Sequence, residues 1–169
     1  VKNSLEARIA LAMLPGYLLQ SHIYAFQIHA QVDRMKFGVV LPSFGPKAGR
    51  LSILDTALSA EQLGYDSVWL TDHLALSAPE AGDFGNLFEA VTTLAYLAGS
   101  TGRIRLGISS LVLPQRNPVE VAKQIAAVDL LSGGRVILAA GIGWSKSEYA
   151  NLGSNFENRA ARMDEALKV

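Results

Sequence analysis

From residue 35 to the end of the chain, short apolar runs alternate with longer amphipathic stretches. The runs are rich in Val, Ile and Leu, and they span Phe37–Leu41, Ser67–Leu70, Ile104–Leu111 and Val136–Ala140. A parallel strand covered by helices is buried on both faces and has this composition. The pattern therefore predicts four parallel strands, near residues 36–41, 66–71, 104–111 and 135–140, each followed by a helix.

Polar residues mark the predicted beginnings of the helices between these strands. An N-cap residue precedes an acid by three positions at Ser52 with Asp55, Asn86 with Glu89, Asn117 with Glu120, and Ser154 with Glu157. This is the spacing of a capping box, in which side chains bond to the free amides of the first turn. Glycines at 64, 102, 133 and 134 fall where the helices should end.

The predicted strands begin roughly 30 to 38 residues apart, which is the length of a βαβ unit. Four such units fit between Met35 and Val169. Four parallel strands could belong to half of a (β/α)8 barrel or to a doubly wound sheet. Periodicity does not choose between these folds.

The first 34 residues have a different pattern, in which Pro15-Gly16, Gln20 and His22 interrupt the apolar positions. No apolar run of about 18 residues occurs there, so we expect no membrane span. The match to a signal peptide is poor, so we expect a cytoplasmic protein and not a secreted one. Met35 leads straight into the first predicted strand. We therefore expect residues 1–34 to be an extension upstream of the true start. A short amphipathic helix at the bottom of the fold is the alternative.

Composition narrows the classes of ligand and partner. The chain has 15 basic and 15 acidic side chains and a formal net charge of zero, which argues against nucleic acid or an anionic membrane as a partner. It has no cysteine, which excludes disulfides and thiolate chemistry. His73 is the only histidine after Met35, so there is little material for a metal site. We expect a small organic ligand.

Asp72 and His73 follow the second predicted strand. The carboxyl ends of parallel strands meet at one edge of the sheet, where active sites form. An imidazole can transfer a proton near neutral pH, and Asp72 could fix its tautomer or contact a ligand. The alternative is that Asp72 caps a loop and His73 only hydrogen-bonds within it. Arg116 could meet an anion or be solvated, and Asp129 with Arg135 is predicted to be a structural ion pair.

Gly141-Ile142-Gly143 follows the fourth predicted strand and begins like a dinucleotide-binding motif. Lys146 stands where that motif needs its third glycine, and the segment does not open a first βαβ unit. Small residues in this loop would instead let a planar ring approach the backbone. Trp144 would then line the pocket, or it is a packing residue.

Several phrases, in this order and spacing, resemble the luciferase-like monooxygenase family, especially its deazaflavin-dependent branch. They are Met35–Gly38, Leu63–His73, Arg103–Gly107, Leu113–Pro118, Asp129–Arg135 and Gly141–Trp144. The resemblance covers residues 35–169 and not residues 1–34. It implies an α/β fold, the parallel (β/α)8 TIM barrel, of which this chain would hold about the first four β/α units as a truncated N-terminal half.

The resemblance also implies roles for individual residues. In the family, the histidine matching His73 acts in acid–base chemistry or orients the reaction. The bond matching Ser109–Ser110 is a non-proline cis peptide in a bulge behind the cofactor ring, although the two serines could simply be the polar end of a strand. The implied cofactor contacts are Asp72, Ser109, Ser110, Leu111, Gly143 and Trp144.

Three functions remain open at this point. The first is an oxidoreductase that uses reduced deazaflavin (coenzyme F-420) for hydride transfer to or from an organic substrate. The second is an FMN-dependent monooxygenase that acts on paired donors and incorporates molecular oxygen, because flavin has the oxygen-reactive nitrogen that deazaflavin lacks. The third is an inactive fragment, because half a barrel exposes two sheet edges and an apolar face. For the intact protein we expect a small-molecule substrate, a homodimer, and no nucleic-acid or membrane partner.

Overall fold

A computed structural model describes residues 35–169 as a four-stranded parallel sheet with helices packed on it. The strands are β1 (Gly38–Val40), β2 (Ser67–Leu70), β3 (Arg105–Val112) and β4 (Val136–Gly141). The helices are α1 (Arg50–Gln62), α2 (Ala78–Phe84), α3 (Ala90–Ser100), α4 (Pro118–Ser132), α5 (Lys146–Asn151) and α6 (Arg159–Ala166). Each pair of neighbouring strands is parallel, so the four predicted strands and their direction are confirmed.

The order of the strands in the sheet is β1-β2-β3-β4, so each strand lies beside the one that follows it in the chain. A doubly wound sheet would reverse direction at a switch point, whereas a (β/α)8 barrel adds its strands consecutively. The described residues therefore form four consecutive β/α units of the barrel type. Strand order thus resolves the ambiguity that periodicity left open.

One face of the sheet packs against the helices. Leu70, Leu106 and Ile108 on this face are at most 1% exposed, and they meet apolar side chains of α1, α3 and α4 in one buried cluster. Burying a side chain of this size stabilises a fold by about 1.5–3 kcal/mol. Packing on this face therefore holds the strands and helices together and supports the loops that follow the strands.

The other face of the sheet is shaped by Trp69. A Cβ atom added at Gly107 would lie 2.6 Å from Cδ2 of the Trp69 indole, and one added at Gly38 would lie 2.8 Å from its Cδ1. The indole therefore fills the space that side chains on the neighbouring strands would need. Its Nε1 donates to Oγ of Ser67 at 2.8 Å. Glycine within these strands is explained by this close approach.

One predicted helix beginning is confirmed in full. The side chain of Asn117 accepts hydrogen bonds from the amides of Val119 and Glu120, and Pro118 occupies the first helical position of α4. Gly133 ends that helix in the left-handed conformation, with a φ of 75°. These are the features of a capped helix that the sequence pattern indicated.

The other three predicted caps were wrong. Helix α1 begins after Gly49, and the Ser52 hydroxyl donates to main-chain carbonyls instead of capping. Helix α3 begins after Glu89, whose own carboxylate accepts from the first-turn amides and leaves Asn86 no role as a cap. Helix α6 begins after Asn158 rather than Ser154. In α3 the side chain of Glu89 is long enough to accept hydrogen bonds from the free amides of the first turn.

Helices α2 and α5 were not predicted, and both lie in the connections that leave the carboxyl end of the sheet. Their N-cap residues are Ser77 and Ser145. Each serine precedes an acid by three positions, Glu80 and Glu148 respectively. The capping-box spacing was therefore present, but helices of 7 and 6 residues are too short to give an apolar repeat.

The predicted ion pair between Asp129 and Arg135 was also wrong. Asp129 accepts a hydrogen bond from the amide of Val136. The guanidinium of Arg135 donates to the carbonyls of Ala98 and Thr101 at the end of α3, each at 2.9 Å. The last carbonyls of a helix lack partners within it, so they compete effectively for an arginine.

The prediction that residues 1–34 are an extension lies outside the described residues. Within residues 35–169, no helix is both long enough and apolar enough to cross a bilayer.

Candidate active site

His73 and Glu148 form a hydrogen-bonded pair at the carboxyl end of the sheet. Nδ1 of His73 lies 3.0 Å from Oε2 of Glu148, and the two side chains are 10% and 1% exposed. The other carboxylate oxygen accepts hydrogen bonds from the amides of Leu74 and Ala75, at 2.5 and 3.0 Å. One buried carboxylate from α5 thus holds both the imidazole and the loop that carries it.

The carboxylate of Glu148 is ionised at neutral pH. Burial by itself raises the pKa of this group, but the hydrogen bonds from His73, Ala75 and Leu74 outweigh burial and lower the pKa to about 2. An ionised carboxylate only accepts hydrogen bonds, so Nδ1 of His73 must carry a proton. Within the described chain nothing else bonds to this ring, which leaves Nε2 available to gain or lose a proton.

Asp72 points away from this pair. One of its oxygens accepts from Nη2 of Arg116 at 2.6 Å and the other from the amide of Val112 at 2.8 Å. The idea that Asp72 fixes the tautomer of His73 was therefore wrong, because Glu148 does so. A contact between Asp72 and a cofactor stays a prediction.

Arg116 is neither solvated nor free to meet an anion. Its side chain is 11% exposed and pairs with Asp72 and, at 3.1 Å, with Glu89. Burial raises the pKa of Glu89, but hydrogen bonds from Thr92 and Val91 and the charge of Arg116 outweigh it and lower that pKa. The three charges tie the loops after β2 and β3 to the start of α3.

The peptide bond between Ser109 and Ser110 is cis, as the resemblance implied. The register between β3 and β4 shifts at this point, which is a bulge. Both serines are exposed, and within residues 35–169 neither hydroxyl has a hydrogen-bond partner. Leu111 is fully buried in the core, and contact between it and a cofactor stays a prediction.

The glycines at the end of β4 and just after it have a packing role that the sequence did not indicate. A Cβ atom on Gly141 would overlap the hydroxyl of Ser110, and one on Gly143 would lie 2.7 Å from Cγ1 of Val112. Gly143 also has a φ of 70°, which favours glycine. Gly141 lets the ends of β3 and β4 pack closely, and Gly143 lets the loop after β4 pack against the end of β3. Cofactor contact at Gly143 stays a prediction.

Aromatic rings from helix α2 and from the loop after β4 contact His73. Its ring centroid lies 4.9 Å from that of Phe84 and 5.6 Å from that of Trp144, both edge-on. Phe84 in turn lies 5.7 Å from Phe44, in the loop after β1. Trp144 is 56% exposed, so its indole is a surface of the site and not a core residue.

A cavity of about 240 Å³ lies beside these rings, bounded by His73, Phe84 and the intervening apolar side chains. A larger apolar groove of about 450 Å³ runs between α4, β4 and α6. That groove contains none of the candidate site residues. The smaller cavity is the one that adjoins the His73–Glu148 pair.

A cluster of serines around Glu80 joins α2 to α5. The Glu80 carboxylate accepts from the hydroxyls of Ser77, Ser145 and Ser147, at 3.2 Å for Ser77 and 2.7 Å for Ser145. The bonds from Ser147 and Ser145 lower the pKa of Glu80. The amide of Glu148 also donates to Ser145, so this cluster supports the residue that holds His73.

Residues 35–169 match the sequence profile described as luciferase-like monooxygenase. The chain belongs to the luciferase-like monooxygenase family. This confirms the family that the sequence phrases indicated. Two relatives and one solved structure show how similar the chain is to known proteins.

The chain is 35% identical over 130 residues to the F420-dependent glucose-6-phosphate dehydrogenase of Amycolatopsis mediterranei (strain U-32). The aligned region covers 75% of this chain and 37% of that protein. The chain is 28% identical over 143 residues to the alkanal monooxygenase alpha chain of Photorhabdus luminescens, at 77% and 36% coverage. Monooxygenase RslO1 from Streptomyces bottropensis superposes with a TM-score of 0.66 and 26% identity, over 79% of this chain and 41% of that one. The chain spans about two fifths of the length of these proteins.

Proposed function

We propose that the protein is an oxidoreductase that uses reduced deazaflavin, coenzyme F-420, for hydride transfer to or from an organic substrate. The observation that carries this proposal is the His73–Glu148 pair at the carboxyl end of the sheet. The buried carboxylate fixes one ring nitrogen of His73 and leaves the other available for proton transfer. Active sites of barrel enzymes form at this end from the βα loops.

His73 is assigned the proton that accompanies the hydride. Oxidation of an alcohol to a carbonyl releases one hydride, which oxidised deazaflavin would accept, and one proton, which Nε2 of His73 would accept. Glu148 stabilises the imidazolium that forms, because its charge lies 3.0 Å from Nδ1. In the reverse direction the same nitrogen returns the proton to the carbonyl oxygen.

The residues at the ends of β3 and β4 fit a flat ring system. Ser109 and Ser110 are exposed at the bulge, their hydroxyls have no hydrogen-bond partner among residues 35–169, and Gly141 adds no side chain beside them. We assign the ring to this surface, with Trp144 at its side. When bound there, deazaflavin supplies hydride chemistry, whereas FMN also supplies reaction with oxygen.

A second candidate is an FMN-dependent monooxygenase that acts on paired donors. The similarity to an alkanal monooxygenase favours it. The F420-dependent relative is more similar, at 35% against 28% identity, and this supports deazaflavin as the first candidate.

The experiment titrates protein expressed at the full length of its gene with F-420 and with FMN separately, and then measures oxygen uptake. We expect F-420 to bind at least tenfold more tightly, with no oxygen consumed during turnover. Gly141→Ala should weaken cofactor binding because its methyl group displaces Ser110, whereas Gly99→Ala adds a methyl group in open space and serves as the control. Tighter binding of FMN with substrate-dependent oxygen uptake would favour the monooxygenase, and binding of neither cofactor would refute both.

We also propose that the protein is a homodimer. Leu51 on α1, Tyr96 on α3 and Phe88 just before α3 are large apolar side chains, 59%, 38% and 37% exposed. Phe88 and Tyr96 line one apolar groove of about 250 Å³ together with Ile53. A contiguous exposed apolar surface marks interfaces between proteins. Leu51→Glu should halve the mass measured by light scattering, and a wild-type protein that is monomeric would contradict the proposal.

A further inference from the structure

We infer that Glu80 is a positioning residue for His73. Its carboxylate joins α2 to α5, and this joint keeps the imidazole in the tautomer and orientation that proton transfer needs. The inference rests on the proposed function, because it names what orients the group to which we assign the proton. Glu80 acts through Glu148 and Phe84, and we assign it no contact with substrate or cofactor.

The imidazole of His73 is held by one residue from each of these two helices. Phe84, the last residue of α2, packs edge-on against the ring with 4.9 Å between centroids. Glu148, on α5, lies 3.0 Å from Nδ1. The placement of α2 relative to α5 therefore affects both the orientation of the ring and the nitrogen that carries its proton.

Helix α2 depends on polar contacts for its position. It has 7 residues, and isolated helices shorter than about 12–15 residues are only marginally stable in water. None of its side chains that the structure describes is buried, so apolar packing contributes little. The bonds from Glu148 and Asn151 reach the loop at Leu74 and Ala75, which precedes α2. They therefore hold the loop and not the helix.

The joint is built on a single oxygen of Glu80. Its Oε2 accepts from the hydroxyl of Ser77 at the beginning of α2, and from the hydroxyls of Ser145 and Ser147 at the beginning of α5. Hydrogen bonds to an ionised carboxylate are stronger than those between neutral groups. Ser145 is 1% exposed, and its oxygen also accepts from the amide of Glu148 at 3.0 Å. The carboxylate on α2 is thus linked through one buried hydroxyl to the backbone of the residue that bonds to the imidazole.

The test is ¹⁵N NMR of the His73 ring in cofactor-free protein of full gene length, with its signals assigned as those absent from His73→Asn. Glu80→Ala removes the joint, and we expect the Nδ1 proton to exchange with solvent at least tenfold faster and the tautomer protonated on Nε2 to appear. Glu80→Gln should restore the wild-type spectrum. All three hydroxyls bond to the same oxygen, so the amide oxygen of glutamine can take its place.

Two control variants separate this effect from a general loss of stability. Glu120→Ala removes an acid from the same position of the first turn of α4, three residues after the N-cap. Asn117→Ala removes the N-cap of α4 and so destabilises the fold away from α2 and α5. Neither variant should change the signals of the His73 ring.

The inference is overturned if Glu80→Ala keeps the wild-type exchange rate, if Glu80→Gln behaves like Glu80→Ala, or if Asn117→Ala changes the ring signals as much. Should Glu80→Ala fail to fold, Ser147→Ala removes one of the three bonds and decides the question. We expect it to give an exchange rate between those of wild type and a free imidazole, and a wild-type rate would overturn the inference. The spectra need no cofactor, so the separate titrations with F-420 and FMN distinguish this failure from failure of the proposed function.

Discussion

Replacing Glu148 with glutamine should change the tautomer of His73 and so remove its function in proton transfer. Glu148 is 1% exposed and accepts from Nδ1 of His73 and from the amides of Leu74 and Ala75. The glutamine side chain would keep its oxygen on the two amides and present its NH₂ group to Nδ1. Nδ1 must then accept, so the ring proton moves to Nε2, which can no longer act as a base.

The expected loss in turnover is about 10²–10⁴-fold, the usual contribution of general acid–base catalysis. At about 1.4 kcal/mol for each tenfold change, this is about 3–6 kcal/mol of transition-state stabilisation. Cofactor affinity should not change, because Glu148 belongs to α5 and not to the bulge at Ser109 and Ser110.

The assay combines turnover with ¹⁵N NMR of the imidazole. His73 is the only histidine after Met35, so deletion of residues 1–34 leaves one labelled ring to observe. Glu157→Gln makes the same chemical change at an acid that is 71% exposed, and it is the matched control. The reasoning fails if Glu148→Gln keeps wild-type turnover, or if its ring keeps the proton on Nδ1.

Three further predictions follow from the same contacts. Because the pKa of Glu148 is lowered from 4.5 to about 2, its ionised form should stabilise the fold by at most about 3 kcal/mol above pH 4.5, and this contribution should disappear as the pH falls towards 2. Urea unfolding of wild type and Glu148→Gln across that range should converge at low pH, and a constant difference would contradict it. Arg116→Met leaves Asp72 buried without its cation and should cost about 3–5 kcal/mol of unfolding free energy. The cost should be smaller when Asp72→Asn is added to it. If the effects of the two substitutions simply add, the pair is not coupled. Deletion of residues 1–34 should leave cofactor affinity unchanged, and a tenfold loss, worth about 1.4 kcal/mol, would refute the proposal that they are an extension.

The strands were predictable from sequence because burial on both faces requires apolar residues at successive positions. Runs such as Ile104–Leu111 need Val, Ile and Leu at successive positions, whatever their partners are. The order of the strands has no local sequence pattern, because it depends on which edge of the sheet each new strand joins. Helices α2 and α5 were missed although their serine caps are visible in the sequence. With 7 and 6 residues they are too short to show an apolar repeat.

The site was only half predictable for the same reason. His73 was found because it follows a strand and is the only histidine in the family region. Its partner Glu148 is 75 residues away, and nothing in its local sequence distinguishes it from the other acids. Asp72 is adjacent in sequence and was the natural choice for that role, yet successive side chains of an extended chain point in opposite directions. The cis bond at Ser109–Ser110 came from the family resemblance and not from the residues themselves.

The most direct test of the account is the pH dependence of turnover in His73→Asn, measured with F-420 in protein of full gene length. An imidazole is the side chain that ordinarily changes charge between pH 5 and 8. We expect turnover to fall about 10²–10⁴-fold, the limb of the pH profile that depends on His73 to disappear, and F-420 still to bind. Wild-type turnover with an unchanged pH profile would show that His73 is structural and that the proton is transferred by another group.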